Sequence, residues 1–345
     1  MIVNVNGIFD VRQCCAWVIV AATIACDANP EVTVYSCLDQ GLSTTAQWNG
    51  AHAAPTLLFQ SGFEEGVRIE RESDQYSDIV GNDRSVAALG DWESDLEKAP
   101  IGRFKLYFED GSESERSAQL IEDPADANNR VLAFRLHQPN VRSLTSADKG
   151  RIQFGLNNNQ ALYALSYSVR MRFEEGFGLL QQHAERITWL TLAEFWNNTA
   201  NKSFPFRVTL NINKDEGIGK PLYWNMHAQT RNSPGDWTTL WHGADADVPV
   251  PINTWFTLHV DIQEGCAQSG RFRVRLEKED GSEYTIVDAA NITQHPNDPA
   301  PDGFVSFNPV KIYTSAKVID WVREQGEDLV VLWDDFMLYQ GITNP

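Results

Sequence analysis

A two-sheet antiparallel β-sandwich or jelly roll is the fold the 345-residue sequence predicts, and three observations carry that prediction. The segments from Pro205 to Asn213 and from Leu222 to Gln229 alternate without error between apolar and polar side chains, which is the period of a half-buried strand. Short strand-like runs separated by turn signals fill the rest of the chain from Leu57 to Gln340, with no repeat and no long amphipathic helix between them. So many short strands in one stretch need two layers to bury their apolar faces.

The elements follow in order. Leu57-Leu58-Phe59 opens the domain, and Phe104 to Phe108 is the next run, closed by the turn Glu109-Asp110-Gly111. Val131 to Leu136, Arg151 to Leu156, Leu162 to Phe173 and Ile187 to Trp196 follow, leading into the two alternating segments. Trp255 to Ile262, Arg271 to Lys278 and Tyr284 to Val287 come next, the last two joined by the turn Glu279-Asp280-Gly281. Pro309 to Tyr313 and Leu329 to Tyr339 complete the set, and Ser315 to Glu324 is the one stretch that reads as a short helix.

Before the domain, Arg12 precedes the apolar run Cys14 to Ala25, whose length suits the core of a signal peptide and falls short of a membrane span. The residues before Val11 are unlike a signal and fit a start codon assigned too early. Thr23-Ile24-Ala25-Cys26 resembles a bacterial lipobox, with Thr where an aliphatic residue is usual. Export is therefore expected, with residues 1–26 as leader and Cys26 as lipid anchor, or with a cut nearby that frees a periplasmic or secreted protein. Residues 27–55, rich in Ser, Thr, Gln, Asn and Ala, read as a tether, and 56–341 as the folded domain. Outside the leader only Cys37 and Cys266 remain, to pair in an oxidising compartment or to stand as two inert thiols.

The 42% hydrophobic content excludes a disordered or collagen-like chain. A net charge of −19, unchanged by leader removal because Asp10 and Arg12 cancel, argues against nucleic acid as a partner. No zinc spacing, phosphate-binding glycine loop, serine elbow or HExxH pattern occurs.

What the alternating strands leave on their second face points to function. Phe206, Val208, Leu210, Ile212, Leu222, Trp224, Met226 and Ala228 take the core side. Arg207, Thr209, Asn211, Asn213, Tyr223, Asn225, His227 and Gln229 share the other, where an idle solvated face would carry Lys, Glu and Thr. Planar amides, a guanidinium, a phenol and an imidazole suit recognition of a polyhydroxylated ligand, and Trp196 is the aromatic candidate for stacking on a sugar. An ordinary polar face of chance composition is the alternative.

Three further strand-like segments place polar pairs at i and i+2, hence on one face: Arg151 and Gln153, Glu194 and Trp196, Lys311 and Tyr313. With Trp333-Asp334-Asp335-Phe336 near the end, the chain resembles the β-jelly-roll polysaccharide lyases of the alginate-lyase and heparin-lyase-like families, which implies a fold of concanavalin A-like type. Those families carry an Arg-x-Glu strand, a Gln-x-His strand, a Lys-x-Gly-x-Tyr-like strand and a final Asp-Asp-Phe. Here Glu194 and Trp196 stand where the families have Gln and His, so an ionised Glu194 is expected to repel a uronate, and His227 on the neighbouring strand to supply the missing imidazole.

The resemblance implies β-elimination on an acidic, uronate-containing polysaccharide. That reaction needs a cation for the C5 carboxylate, a base for the C5 proton and an acid for the leaving O4, and no cofactor. Arg151, Arg207 and Lys311 are the cations; Tyr313 is the base or acid, with Lys311 expected to lower its pKa; His227 is the second proton-transfer candidate. Gln153, Trp196, Arg207, Asn211, Tyr223 and Asn225 are the expected substrate contacts. A non-catalytic cell-surface glycan-binding protein remains open. So does a glycoside hydrolase, although the paired carboxylates ~5 Å apart that a retaining enzyme needs are not visible around Glu194. In jelly rolls the chain ends often meet over a structural Ca²⁺, and Glu64 and Asp335 are the candidate ligands, with solvated acidic turns as the alternative. The partners expected are a polysaccharide, no nucleic acid, and a membrane only through Cys26.

Overall fold

The computed structural model describes residues 54–140, 148–197, 205–233, 236–298 and 301–343. The leader, the tether as far as residue 53, Cys26 and Cys37 lie outside them. Cys266 lies within, half-buried and disulfide-bonded. No helix among the described residues is long and apolar enough to cross a membrane.

The chain runs β1 (Thr56–Ser61), β2 (Arg68–Arg71), β3 (Tyr76–Val80), β4 (Arg103–Phe108), β5 (Arg116–Asp123), β6 (Asp126–Leu136), β7 (Lys149–Asn157) and β8 (Ala164–Phe173). A five-residue helix α1 (Glu175–Leu179) leads to β9 (Leu190–Asn197), β10 (Phe206–Lys214), β11 (Leu222–Ser233) and β12 (Asp236–Asp245). Then come β13 (Phe256–Gln263), β14 (Arg271–Lys278), β15 (Glu283–Ala290), β16 (Ser306–Ser315), α2 (Ala316–Glu324) and β17 (Leu329–Gln340). Two antiparallel sheets result. One has eight strands, in the order β15-β14-β13-β8-β17-β6-β5, with β1 also paired to β17; the other has nine, in the order β12-β11-β10-β9-β16-β7-β4-β3-β2.

The predicted alternation is realised in β10 and β11. Phe206, Val208, Leu210, Ile212, Trp224, Met226 and Ala228 are fully buried between the sheets, and Arg207, Thr209, Asn211 and Asn213 pair in register with Gln229, His227, Asn225 and Tyr223 on the opposite face. The core continues into an aromatic cluster in which Trp92 meets Phe59, Phe104 and Phe154 at 4.7, 5.3 and 5.4 Å between ring centroids. Helix α2 buries Val318, Ile319 and Val322. It lies so close to β7 that a Cβ on Gly150 would come to 2.5 Å from Ile319 Cδ1, so a larger residue there would require the Ile319 side chain to move.

Five elements go beyond the sequence reading. Strand β2 is a mostly exposed edge whose only apolar residue is Ile69. Strands β3 and β5 are short or mixed in pattern, and β12 is broken by register shifts against β11. Helix α1, with two glycines in five residues, has no helical periodicity to read. Two predicted strands begin later than expected: Ile187 makes only an isolated bridge to Lys214 before β9 starts at Leu190, and Leu162 and Tyr163 precede β8.

Candidate functional site

The face of the nine-stranded sheet turned away from the core carries a cleft of about 460 Å³, lined by Arg207, Thr209, Asn211, His227, Gln229 and Tyr313, with Trp189, Trp237, Thr188 and Thr191 at its sides. Strands β10 and β11 supply the floor because their register sets one polar residue opposite another. The amide Nδ2 of Asn211 donates to Thr209 Oγ1 at 2.9 Å, and its Oδ1 accepts from Thr191 Oγ1 at 2.8 Å. That mutual satisfaction lets Thr209 and Asn211 be buried on a polar face without an unmet hydrogen bond.

Arg207 stands over this floor in a fixed pose. Its Nη1 donates to Glu194 Oε1 at 2.8 Å, and its Nε and Nη2 donate to Gln229 Oε1 at 3.0 and 2.7 Å. The guanidinium lies 4.2 Å from the Trp237 ring centroid and 5.6 Å from that of Trp196, so cation–π attraction adds to the hydrogen bonds.

Glu194, 3% exposed, is held from its other side by the Nζ of the fully buried Lys311. Burial would raise the Glu194 carboxyl, but Lys311 and Arg207 outweigh it and hold the group down at about 2. Burial pushes the Lys311 ammonium down to about 8 against the pull of Glu194, with Arg151 adding repulsion. The expected repulsion of a uronate by Glu194 is thereby corrected. The carboxylate is ionised, but its charge is spent on two cations of its own, and it orients Arg207.

The two proton-transfer candidates line the same cleft. Burial, then Arg207 and His242, push the His227 imidazole down to about 4, leaving it neutral near pH 7. Tyr313 packs on Trp189 at 4.6 Å between centroids, with the Arg151 guanidinium 5.1 Å and Lys311 Nζ 5.1 Å from its ring. The expectation that Lys311 lowers the Tyr313 pKa is not met. Burial raises the phenol, Arg151 being the largest opposing influence, because the Lys311 charge is committed to Glu194. Arg151 is committed in turn, its Nη2 lying 2.5 Å from Glu109 Oε2.

Of the predicted site residues, Arg207, Asn211, His227 and Tyr313 meet in the cleft wall, Arg151 and Trp196 pack against its members, and Glu194 and Lys311 lie beneath. Three others stand apart. Gln153 is half-buried, opposite Lys311 and Tyr107 in register. Asn225 is buried and meets His242 Nε2, and the Tyr223 hydroxyl donates to Asp215 Oδ1 at 3.4 Å. Trp189 and Trp237 were not singled out for the site. The first lies in the loop before β9 and the second on the irregular strand β12, so neither sits in a readable alternation.

Glu64 and Asp335 flank Gly62, whose Cβ position is 3.6 Å from Asp335 Oδ1 and 3.6 Å from Glu64 Cγ. Glu64 Oε1 accepts from the Arg130 amide at 3.1 Å, and Asp335 is exposed at a bulge of β17 with φ 46°. Among the described residues, the acidic group whose ligand atoms all fall within 4.8 Å of one another is a different one, Glu264, Asp298 and Asp302. Burial raises Glu264 to about 7, although the Asp302 and Gly303 amides donate to its carboxylate at 3.1 and 2.7 Å.

The chain matches no protein-family model and no curated protein. Similar solved structures include alginate and glucuronan lyases as well as the VIP36 exoplasmic/lumenal domain, which is 14% identical over 62% of this chain and 78% of its own with a TM-score of 0.35. The alginate lyase Aly36B is 12% identical over 83% of this chain and 97% of its own, with a TM-score of 0.42. The endo-β-1,4-glucuronan lyase of the fungus Trichoderma reesei is 12% identical over 69% and 90%, with a TM-score of 0.38. The marine alginate lyase of Aplysia kurodai is 8% identical over 78% and 99%, with a TM-score of 0.40.

Proposed function

We propose that this protein is an exported polysaccharide lyase that cleaves a uronate-containing chain by β-elimination. The observation that carries the reading is one cleft holding a neutral imidazole, a protonated phenol and an oriented guanidinium. Arg207 offsets the charge that develops on the carboxylate borne by C5 as the C5–H proton leaves. His227, neutral and facing the cleft, takes the C5 proton. The C5–H pair then forms the C4–C5 double bond, the C4–O4 bond breaks, and Tyr313 returns a proton to O4. Trp189 and Trp237 offer stacking surfaces for the flanking sugars.

Hydrolysis by paired carboxylates lacks its pair, since no carboxylate lines the cleft among the described residues and Glu194 is bound to two cations. A glycan-binding protein without catalysis is the second reading, favoured by one observation: all three of the nitrogens of Arg207 already have protein acceptors. The disulfide at Cys266 fits an oxidising compartment and so supports export.

One experiment tests the reading. Fractionated cells and the purified protein are assayed on alginate, glucuronan, heparin-type and pectic polymers for the ultraviolet absorbance of a 4,5-unsaturated product. Growth on one polymer, found in the envelope or secreted fraction and lost in Tyr313→Phe, is the expected result. Gel retardation by a polymer with no absorbance and no new reducing ends would transfer the assignment to the binding protein.

A further inference from the structure

The polar face does not end at the cleft. Along one ladder row of the nine-stranded sheet, Arg207 of β10 pairs with Trp196 of β9, Trp196 with Ser306 of β16, Ser306 with Asn157 of β7, and Asn157 with Arg103 of β4. Residues directly opposite in register share a face, so the two arginines lie on one line across the sheet. They are four strand steps apart, roughly 19 Å at about 4.8 Å per step.

A continuous track of rings runs beside that row. Trp189 packs on Tyr313 at 4.6 Å; the Arg151 guanidinium lies 5.1 Å from the Tyr313 ring and 4.7 Å from that of Tyr107; Tyr107 meets Tyr76 edge-on at 5.5 Å. Tyr76 is 40% exposed, one of the few large apolar side chains on the surface. The track ends in a second depression of about 490 Å³, lined by Tyr76, Arg103, Lys105, Asn157, Asn158 and Glu72. Within it Lys105 is neutralised by Glu72 and Asp78, each at 2.6 Å, whereas the exposed Arg103 has no ion pair among the described residues.

We propose that this depression is a second acidic-sugar site, in which Arg103 takes a uronate carboxylate of the same chain that Arg207 holds in the cleft, with Tyr76 as the stacking platform. The proposal rests on the uronate reading above and deepens it. A 1,4-linked pyranose chain advances by about one strand spacing per ring, so a chain gripped at both arginines spans about five rings. The protein then favours long chains and cuts inside them, because short fragments and chain ends forfeit one of the two charge-assisted contacts.

The test is calorimetric titration of Tyr313→Phe protein, in which the chemistry is silenced, with trimers and octamers prepared from alginate and from glucuronan. The octamer is expected to bind at least about tenfold tighter than the trimer, and Arg103→Ala to remove about tenfold from octamer affinity but less than twofold from trimer affinity, as one charge-assisted hydrogen bond predicts. Equal affinity for the two lengths, or equal weakening of both by Arg103→Ala, overturns the second site. Length-dependent octamer binding by a parent protein that yields no unsaturated product leaves the second site standing and removes the lyase reading. Failure of the parent protein to bind either oligomer removes the acidic-chain reading and this proposal with it.

Discussion

Burial moves the pKa values of an imidazole and a phenol in opposite directions for one reason, that it disfavours the charged form of each, and on the proposed lyase reading this readies both His227 and Tyr313. It drives His227 toward its neutral, basic form, with a pKa of about 4, and keeps Tyr313 protonated by raising the phenol. Over a broad range around neutrality the base is therefore empty and the acid loaded. The expected profile of kcat/KM has an acid limb near pH 4, where His227 takes up a proton, and an alkaline limb above the ordinary tyrosine range. The linkage has a definite sign. His227 binds fewer protons folded than unfolded, so its contribution to stability is complete above its ordinary value of 6.5 and is lost as pH falls through about 4. Melting curves collected alongside the rates separate the limb from unfolding, and His227→Gln should abolish it. A limb near 6.5 would mean that the base is a solvated group and not His227. Arg207, Asn211, His227 and Tyr313 were legible because alternation alone decides which face of a strand a residue takes. The state of Glu194 was not legible, because its two cations come from neighbouring strands and no single segment says which strands are neighbours.

At the level of elements, the Glu194–Lys311 pair joins β9 to β16 across a register shift, where the ladder between Asn308 and Tyr313 is interrupted. Both side chains are essentially inaccessible, at 3% and 0% exposure, so water cannot replace either partner. Replacing Glu194 by Gln leaves a buried ammonium with no carboxylate and is expected to cost about 3–5 kcal/mol. Urea unfolding with an unchanged m-value would show it, and the double variant Glu194→Gln/Lys311→Met should recover much of the loss. A cost below about 1 kcal/mol in the single variant would place the pair in the range of surface ion pairs, against its burial. Gln229 still holds Arg207 in that variant through two bonds, so binding should suffer less than stability. The same contrast explains which elements could be read in advance. Strands β10, β11, β13 and β14 bury one face and announce it by period two, whereas edge strand β2 and the irregular β12 bury too little on a regular phase to give a signal.

For the whole molecule, topology assembles what no local pattern can. The strand order β12-β11-β10-β9-β16-β7-β4-β3-β2 gathers residues from Tyr76 to Tyr313 on one surface, and only pairing fixes that His227, Tyr313 and Arg103 share it. On the proposed lyase reading the surface must also attract a polyanion to a chain of net charge −19. Two fields compete, the repulsion of the whole chain and the attraction of the few cleft cations, and ionic strength sorts them by range. At about 0.01 M salt the Debye length is roughly 30 Å and the substrate feels the whole charge; at about 0.15 M it is roughly 8 Å and the cleft dominates; at about 1 M it is roughly 3 Å and contacts with Arg207 weaken as well. The rate on a uronate polymer at low concentration is therefore expected to rise from the first condition to the second and to fall toward the third. Initial rates across a chloride series check this. A monotonic decline from the lowest salt would show that the local field left by Arg207 and Lys311 in excess over Glu194 already outreaches the acidic body, which would require the carboxylates to be distributed far from this face.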